Sequence, residues 1–109
     1  MTALGKPFNA AGAQTIAVAT PGTSPTAITP PGTGETLSVV NATNQIIFVE
    51  TGRPVAVIPV GTTTGGIPIS PGTTRHLDIS QVAAGTAFSV VAAAVSTGTA
   101  YFTRGNGGQ

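Results

Sequence analysis

The residues of this chain that could perform acid–base or nucleophilic chemistry are few, and one short segment holds most of them. His76, the only histidine, is followed two positions later by Asp78. With Ser80 or Ser89, these two would supply the residue types of a Ser-His-Asp triad. Side chains at i and i+2 of a strand share a face but are held apart by the pleat, and no G-x-S-x-G turn accompanies them. The pattern therefore favours a polar, solvent-facing strand or an interface contact over a catalytic site.

Other kinds of site lack the residues that they require. One histidine and three scattered carboxylates fall short of the ligand set for zinc. The glycine-rich runs at 61–66 and 105–108 lack the lysine and the following helix of a phosphate-binding loop. Glu35 and Glu50 could pair for glycoside hydrolysis, but the chain has no Trp and a single Tyr with which to stack a sugar. We expect no catalytic, cofactor or metal site, and a protein that is not an enzyme.

The low content of charged residues is the most unusual feature of the composition. At 109 residues the chain has the size of one domain, and 6% of its residues are charged, against roughly 25% in an ordinary soluble domain. Disorder does not explain the deficit, because 40% of the residues are hydrophobic and the net charge is only +1. A free monomer needs a charged surface to stay soluble, so we expect much of this surface to be covered by neighbouring molecules.

Charge and hydropathy also exclude several classes of partner. Four scattered basic residues cannot form the positive surface that nucleic acid requires. The chain contains no cysteine, and therefore neither disulfides nor thiolate metal sites. Its N-terminus lacks the apolar core of a signal peptide, and no run approaches the roughly 18 apolar residues of a membrane span. We expect a soluble product made in the cytoplasm, with no nucleic-acid or membrane partner.

The elements that must position these residues are strands, and residues 37–52 (LSVVNATNQIIFVETG) form the segment around which we expect the others to pack. Its β-branched and aromatic side chains suit a pleated, half-buried surface, and a polar turn at 41–44 separates two apolar runs. We interpret the segment as a central β-hairpin. Further strands are predicted at 14–19, 55–60, 67–69, 74–79, 86–95 and 99–103, with an extended Pro/Thr/Gly loop at 20–34.

No window shows the spacing and caps of a helix, so the prediction is an all-β fold. Seven or eight short strands in one small domain predict a two-sheet antiparallel sandwich, because that arrangement buries two inner faces. We divide the chain into an extended N-terminal arm at 1–12, a sandwich domain at 13–104 and a C-terminal tail at 105–109. The arm contains Gly5, Pro7 and Gly12 and is expected to dock on a neighbouring molecule.

Four motifs give the chain a family resemblance over roughly residues 36–107. They are a strand ending in Asn at 39–41 (VVN), a Phe-Val followed by Gly at 48–52 (FVETG), a Pro-Gly turn and strand at 70–79 (SPGTTRHLDI), and a closing strand at 98–107 (GTAYFTRGNG). In this combination the chain resembles small virion proteins of tailed bacteriophages, of the capsid decoration or cement type. The resemblance implies a jelly-roll-like sandwich that commonly sits as a trimer over the junctions between capsomers.

The resemblance and the charge deficit together predict a virion structural protein without enzymatic activity. We expect it to form a homo-oligomer, with a trimer favoured, and to bridge subunits of the phage major capsid protein on the capsid exterior, after synthesis in the host cytoplasm. The alternative is a neck, tail or fibre component, including a receptor- or glycan-binding module. The residues expected at protein interfaces lie in the arm, in the proline loop, at the end of the central hairpin and among the arginines: Lys6, Pro7, Phe8, Pro30, Pro31, Glu50, Arg53, Arg75 and Arg104.

Overall fold

A computed structural model describes residues 7–10, 14–51, 56, 58, 66–83 and 85–108. Predictions that fall on other residues, among them Lys6, Arg53 and most of the strand at 55–60, lie outside the described ranges. Within these ranges no helix has the length and apolar character needed to cross a membrane. The described residues contain eight strands: β1 (Ile16–Ala19), β2 (Thr26–Ile28), β3 (Thr36–Thr43), β4 (Ile47–Glu50), β5 (Ile67–Ile69), β6 (Thr73–Asp78), β7 (Phe88–Ala92) and β8 (Gly98–Gly105).

The strands form two four-stranded antiparallel sheets. Sheet 1 has the order β1-β8-β3-β6 and sheet 2 the order β2-β7-β4-β5. Only the step from β4 to β5 stays within one sheet, and every other step along the chain crosses to the opposite sheet. This is the connectivity of a jelly roll, in which eight strands fold as two Greek keys. The predicted all-β, two-sheet, jelly-roll-like sandwich is confirmed.

The core lies between the two sheets and is built from alternate residues of each strand. Phe88 and Phe102 are its largest fully buried side chains, one from each sheet. β-Branched and aromatic residues fill the inner faces because their stiff side chains pack well on a pleated surface. The buried cluster consists of Ile28, Leu37, Val39, Ile47, Val49, Ile69, Leu77, Ile79, Phe88, Val90, Ala92, Ala100 and Phe102.

The prediction of a central hairpin is wrong, because its two strands lie in different sheets. β3 pairs with β6 and β8, whereas β4 pairs with β5 and β7. The segment between them is a corner that carries the chain across the core. Residues 44–46 connect the two strands, and the last residues of β3 bond to this segment rather than to β4.

The side chain of Asn41 holds this corner together. Its amide nitrogen donates to the carbonyl oxygens of Gln45, at 2.9 Å, and Ile69, at 2.8 Å. Its oxygen accepts from the backbone nitrogen of Thr43, at 3.0 Å, and from the Thr43 hydroxyl, at 2.6 Å. An asparagine amide has two donor hydrogens and an oxygen with two lone pairs, so the hydrogen-bonding capacity of Asn41 is fully used. One side chain thereby joins β3, the corner and β5.

Several other elements differ in extent from their predictions. The Pro-rich loop at 20–34 contains a short strand, β2, whose last residue, Ile28, is buried in the core. β7 is shorter than the predicted strand at 86–95, since only five of those residues pair with neighbours. β8 begins one residue earlier than predicted and continues through Gly105, which pairs with Thr36.

The described residues of the N-terminal arm, 7–10, lie against the C-terminal end of the same chain. Asn9 forms an isolated antiparallel bridge with Asn106, with backbone hydrogen bonds of 2.7 and 2.8 Å in the two directions. The ring of Phe8 stacks on that of His76, with centroids 5.2 Å apart and planes inclined by 22°. This part of the arm therefore docks within its own domain.

Candidate interaction surface

The residues of the hypothetical triad are not assembled in the structure. His76 contacts Phe8, and its Nδ1 lies 2.8 Å from the carbonyl oxygen of Gly108. Ser89 is buried in sheet 2, where its hydroxyl oxygen accepts a hydrogen bond from the backbone nitrogen of Ala56 at 2.8 Å. A nucleophile, base and orienting acid must lie within hydrogen-bonding reach of one another. The contacts of these residues are those of structural groups.

Asp78 has a local structural role at the end of β6. Its Oδ1 accepts a hydrogen bond of 2.9 Å from the backbone nitrogen of Ser80. This bond, followed by one with the Ser80 hydroxyl, lowers the pKa of the Asp78 carboxyl from its ordinary value because both bonds favour the charged form. The stabilisation is therefore present above the ordinary pKa of an aspartate and is lost as the pH falls through the lowered one. Asp78 is an exposed cap of a turn.

Arg104 does not occupy an interface, contrary to its prediction, because its side chain is buried inside the domain. It is 3% exposed and points inward from β8. Its Nε donates to the carbonyl oxygen of Gly34 at 3.0 Å, and its two terminal nitrogens donate to those of Ala83, at 3.2 Å, and Val82, at 2.5 Å. The guanidinium fork matches acceptors spread over one plane. Arg104 therefore clamps the segments that precede β3 and follow β6 onto β8.

The other predicted interface residues that the structure describes are spread over different elements. Pro30 is buried, Pro31 and Phe8 are half-buried, and Pro7 is exposed. Glu50 is half-buried at the end of β4, and Arg75 is exposed on β6, where its Nη1 donates to the carbonyl oxygen of Pro68 at 3.3 Å. The fold does not bring these residues into one patch, so any extended interaction surface must lie on the faces of the sheets.

The outer face of sheet 2 is covered over β7, whereas Ala27 and Pro68 on its edge strands are exposed. Ser89 and Val91 alternate with the core residues of β7 and point outward, yet both are buried. Ala56 lies over this part of the face, since it is buried and its backbone nitrogen donates to the Ser89 hydroxyl oxygen. This face is consequently unavailable to a partner where Ala56 lies over it.

The outer face of sheet 1 is open at one end only; towards the other end Thr36 and Ser38 are buried, His76 is half-buried and Asp78 is exposed. Ala17, Tyr101, Val40 and Thr74 are partners across its four strands and form one row. All of them are exposed or half-buried, and Tyr101 is 38% exposed. We call the outward residues of this region the open face; they are Thr15, Ala17, Ala19, Val40, Ala42, Thr74, Thr99, Tyr101 and Thr103.

The open face carries no Asp, Glu, Lys or Arg. Its side chains are small, with the exception of Tyr101, which stands near the middle beside Ala17. Hydroxyl groups provide its hydrogen-bonding capacity, and two of them, from Thr15 and Thr103, lie 2.7 Å apart. Burial of its methyl groups is favourable, and burial of its hydroxyl groups costs little where the facing surface supplies hydrogen-bond partners. The arrangement suits packing against protein rather than binding of an ion.

The area of the open face indicates a weak individual contact. The open face spans residues 15–19, 99–103 and 40–42 together with Thr74, so at about 4.8 Å between strands and about 3.4 Å per residue it covers roughly 230 Å². A stable, specific complex buries about 800 Å² on each partner. One open face therefore contributes a modest contact, and tight attachment requires further contacts or repetition.

A shallow cleft of about 540 Å³ lies beside the terminal segments. It is lined by Pro7, Asn9, Glu35, Asn106 and Gly107. In the described part of the chain, no three His, Asp or Glu side chains are grouped closely enough to hold a metal ion. The cleft has one carboxylate and no basic or aromatic side chain among these lining residues, which leaves it without the convergent groups of a ligand site.

The open face was not predicted from the sequence. The alternation in 99–103 contained the signal, because the outward positions are Thr, Tyr and Thr. The contribution of neighbouring strands could not be predicted before the register of those strands was known.

Comparison of the chain with protein-family models, with curated protein sequences and with solved structures finds no match.

Proposed function

We propose that this protein is a structural component of a tailed-phage virion that decorates and cements the capsid. It bridges neighbouring subunits of the major capsid protein from the capsid exterior and has no enzymatic activity. It is made in the host cytoplasm and acts as a homo-oligomer, for which a trimer is the favoured form. The proposal rests on the resemblance of residues 36–107 to such proteins and on the physical features that follow.

The observation that most supports the proposal is the contrast between the two outer faces of the sandwich. Sheet 2 is covered by the chain itself at Ala56, whereas the open face of sheet 1 is uncharged and accessible. Surfaces that remain in water usually carry charged residues, and this chain has few to provide. An uncharged accessible face is what a protein needs where another protein covers it. The jelly roll is also an architecture that viral capsid domains use, although a fold alone does not establish a function.

Repetition accounts for how a small contact could stabilise a shell. The open face offers roughly 230 Å², less than a third of what one partner contributes to a standard interface. In an oligomer on a symmetric shell, several such contacts form together, and each additional one is effectively intramolecular. The cumulative affinity then exceeds that of any single contact by orders of magnitude. Cementing needs no strong individual site.

Co-sedimentation with expanded capsids tests the proposal. We expect the wild-type oligomer to pellet with capsids that lack it, and Ala17→Glu to bind at least about tenfold more weakly, because burying an unpaired carboxylate costs more than about 1.4 kcal/mol. The matched control is Ala27→Glu, which places the same charge at an exposed alanine on the edge strand of sheet 2. It should bind like wild type. A wild-type protein that is monomeric and remains in the supernatant would overturn the proposal.

The open face also supports the second candidate function, a receptor- or glycan-binding module of the neck, tail or fibre. Tyr101 is an accessible aromatic ring among hydroxyl groups, and jelly rolls also occur as lectin domains. This function predicts micromolar binding on a glycan array that Tyr101→Ala abolishes, while Val95→Ala, a change at an exposed residue outside the sheets, leaves it intact. An array on which wild type binds no glycan would remove this candidate.

A further inference from the structure

The terminal segments meet at a well-defined docking site at one end of sheet 1. We call it the cradle and define it by His76, Gly105, Asn106 and Gly108. The arm segment, residues 7–10, enters it through the Phe8–His76 stack and the paired backbone hydrogen bonds between Asn9 and Asn106. A hydrogen bond between His76 Nδ1 and the Gly108 carbonyl oxygen, at 2.8 Å, joins the C-terminal segment of the cradle to β6.

Two glycines make room for the arm segment. A Cβ added at Gly105 would lie 2.3 Å from the carbonyl oxygen of Asn9, 2.9 Å from Ala10 Cα and 2.9 Å from Phe8 Cζ. A Cβ at Gly108 would lie 2.7 Å from His76 Nδ1 and 2.9 Å from Phe8 Cβ. The three nearest neighbours of a side chain at Gly105 all belong to the arm segment. Glycine at this position therefore serves the docking of the arm rather than the pairing of β8.

The docking of the arm segment is separate from the pairing of β1. β1 pairs with β8 from Ile16 opposite Phe102, and the arm segment pairs again at Asn9 opposite Asn106. Six residues separate the two pairing positions on the arm side, and three separate them on the β8 side. The ladder is thus out of register between the two positions, and the arm segment forms a contact of its own.

We propose that the cradle is an interface between copies of this chain, filled in the assembly by the arm segment of a second copy. The contacts of an exchanged arm are the same ones that the arm makes in its own domain, so their free energies cancel. The concentration of neighbouring arms then determines whether a cradle binds the arm of its own chain or that of a second copy. A tethered arm of this length has an effective concentration in the millimolar range. Neighbours fixed side by side on a shell reach comparable concentrations. This step rests on the proposed function, since the shell supplies the high local concentration.

Single-cysteine chains test the exchange directly, because the chain contains no cysteine of its own. Asn9→Cys and Asn106→Cys are placed in separate chains, mixed at about 1 mM, the effective concentration of the tethered arm, and treated with a short bismaleimide. The two positions face each other in the bridge, so a heterodimer forms where the arm of one chain lies in the cradle of another. We expect this heterodimer on a denaturing gel, at a yield that falls steeply on dilution to micromolar concentration.

Two controls make the result specific. Adding Gly105→Ala to the Asn106→Cys chain should abolish the heterodimer, whereas adding Gly22→Ala, where a Cβ meets nothing within 4 Å, should not. Pairing Asn9→Cys with Val95→Cys, at a residue that is 81% exposed, measures random collision. A heterodimer yield no higher than that of the Val95 pair would overturn the exchange. Capsid co-sedimentation tests the proposed function separately. If the protein binds capsids but gives no heterodimer, the arm exchange is refuted and the proposed function is not.

Discussion

Replacing Asn41 with alanine is expected to lower the free energy of unfolding by about 3 kcal/mol or more, a large fraction of the roughly 5–15 kcal/mol that holds a domain folded. Asn41 is 0% exposed and makes four hydrogen bonds. Its loss leaves the carbonyl oxygens of Gln45 and Ile69 without this donor and the Thr43 nitrogen without this acceptor. A buried group stripped of its partner costs about 1–3 kcal/mol.

Asn41→Asp separates hydrogen bonding from volume at the same position. Aspartate has nearly the shape of asparagine, but it presents an oxygen where the amide donates to two carbonyls. We expect it to destabilise the fold at least as much as alanine does at neutral pH. The matched control is Asn44→Ala, because Asn44 lies in the same corner but is exposed and its Oδ1 accepts a single bond, of 2.9 Å, from Thr97.

Urea unfolding followed by circular dichroism distinguishes these variants. Asn44→Ala should cost about 1 kcal/mol or less, the net worth of one exposed hydrogen bond. An Asn41→Ala protein as stable as the Asn44→Ala protein would show that the corner does not depend on the buried amide.

Removing the guanidinium of Arg104 is the second substitution with a large expected effect. Arg104→Ala should lower the free energy of unfolding by about 4 kcal/mol, because charge-assisted hydrogen bonds contribute about 1.5–3 kcal/mol each and a buried void replaces the side chain. The change also releases the carbonyl oxygens of Gly34, Val82 and Ala83. Arg104→Lys should recover only part of the loss, since an ammonium does not reproduce the planar fork.

Arg75→Ala is the matched control for Arg104. Arg75 is exposed and makes one long hydrogen bond, of 3.3 Å, so its removal should cost less than about 0.5 kcal/mol. The same urea titration measures both variants. Equal stability of the two alanine variants would contradict the clamp and would return Arg104 to the surface role predicted from the sequence.

The class of fold was predictable because its signals are local. Strand-forming residues, the alternation in β6 and β8, and the glycines and prolines between the strands all follow from neighbours along the chain. These signals identify strands but not their partners. The error over residues 37–52 shows the limit, since Asn41 bonds to Gln45 nearby and to Ile69 in a different sheet. A polar turn between two apolar runs is typical of a corner between two sheets as well as of a hairpin within one sheet.

The roles of individual residues were harder to predict, because they depend on segments far apart in the chain. Arg104 bonds to carbonyl groups at 34, 82 and 83, which no local pattern associates with it. The open face combines alternate residues of β1, β3, β6 and β8, and each strand alone contributes only one to three of them. The charge deficit predicts a covered surface without saying which one, and only the paired strands show which face is accessible.

An electron cryomicroscopy reconstruction of expanded capsids bound by the protein tests the central claim most directly. The jelly roll can be oriented in such a map because Tyr101 stands on the open face, whereas Ala56 lies over β7 on the outer face of sheet 2. We predict that the open face, marked by Tyr101, lies against a capsid subunit or another copy of the chain. Well-occupied copies whose open face points into solvent would contradict the account.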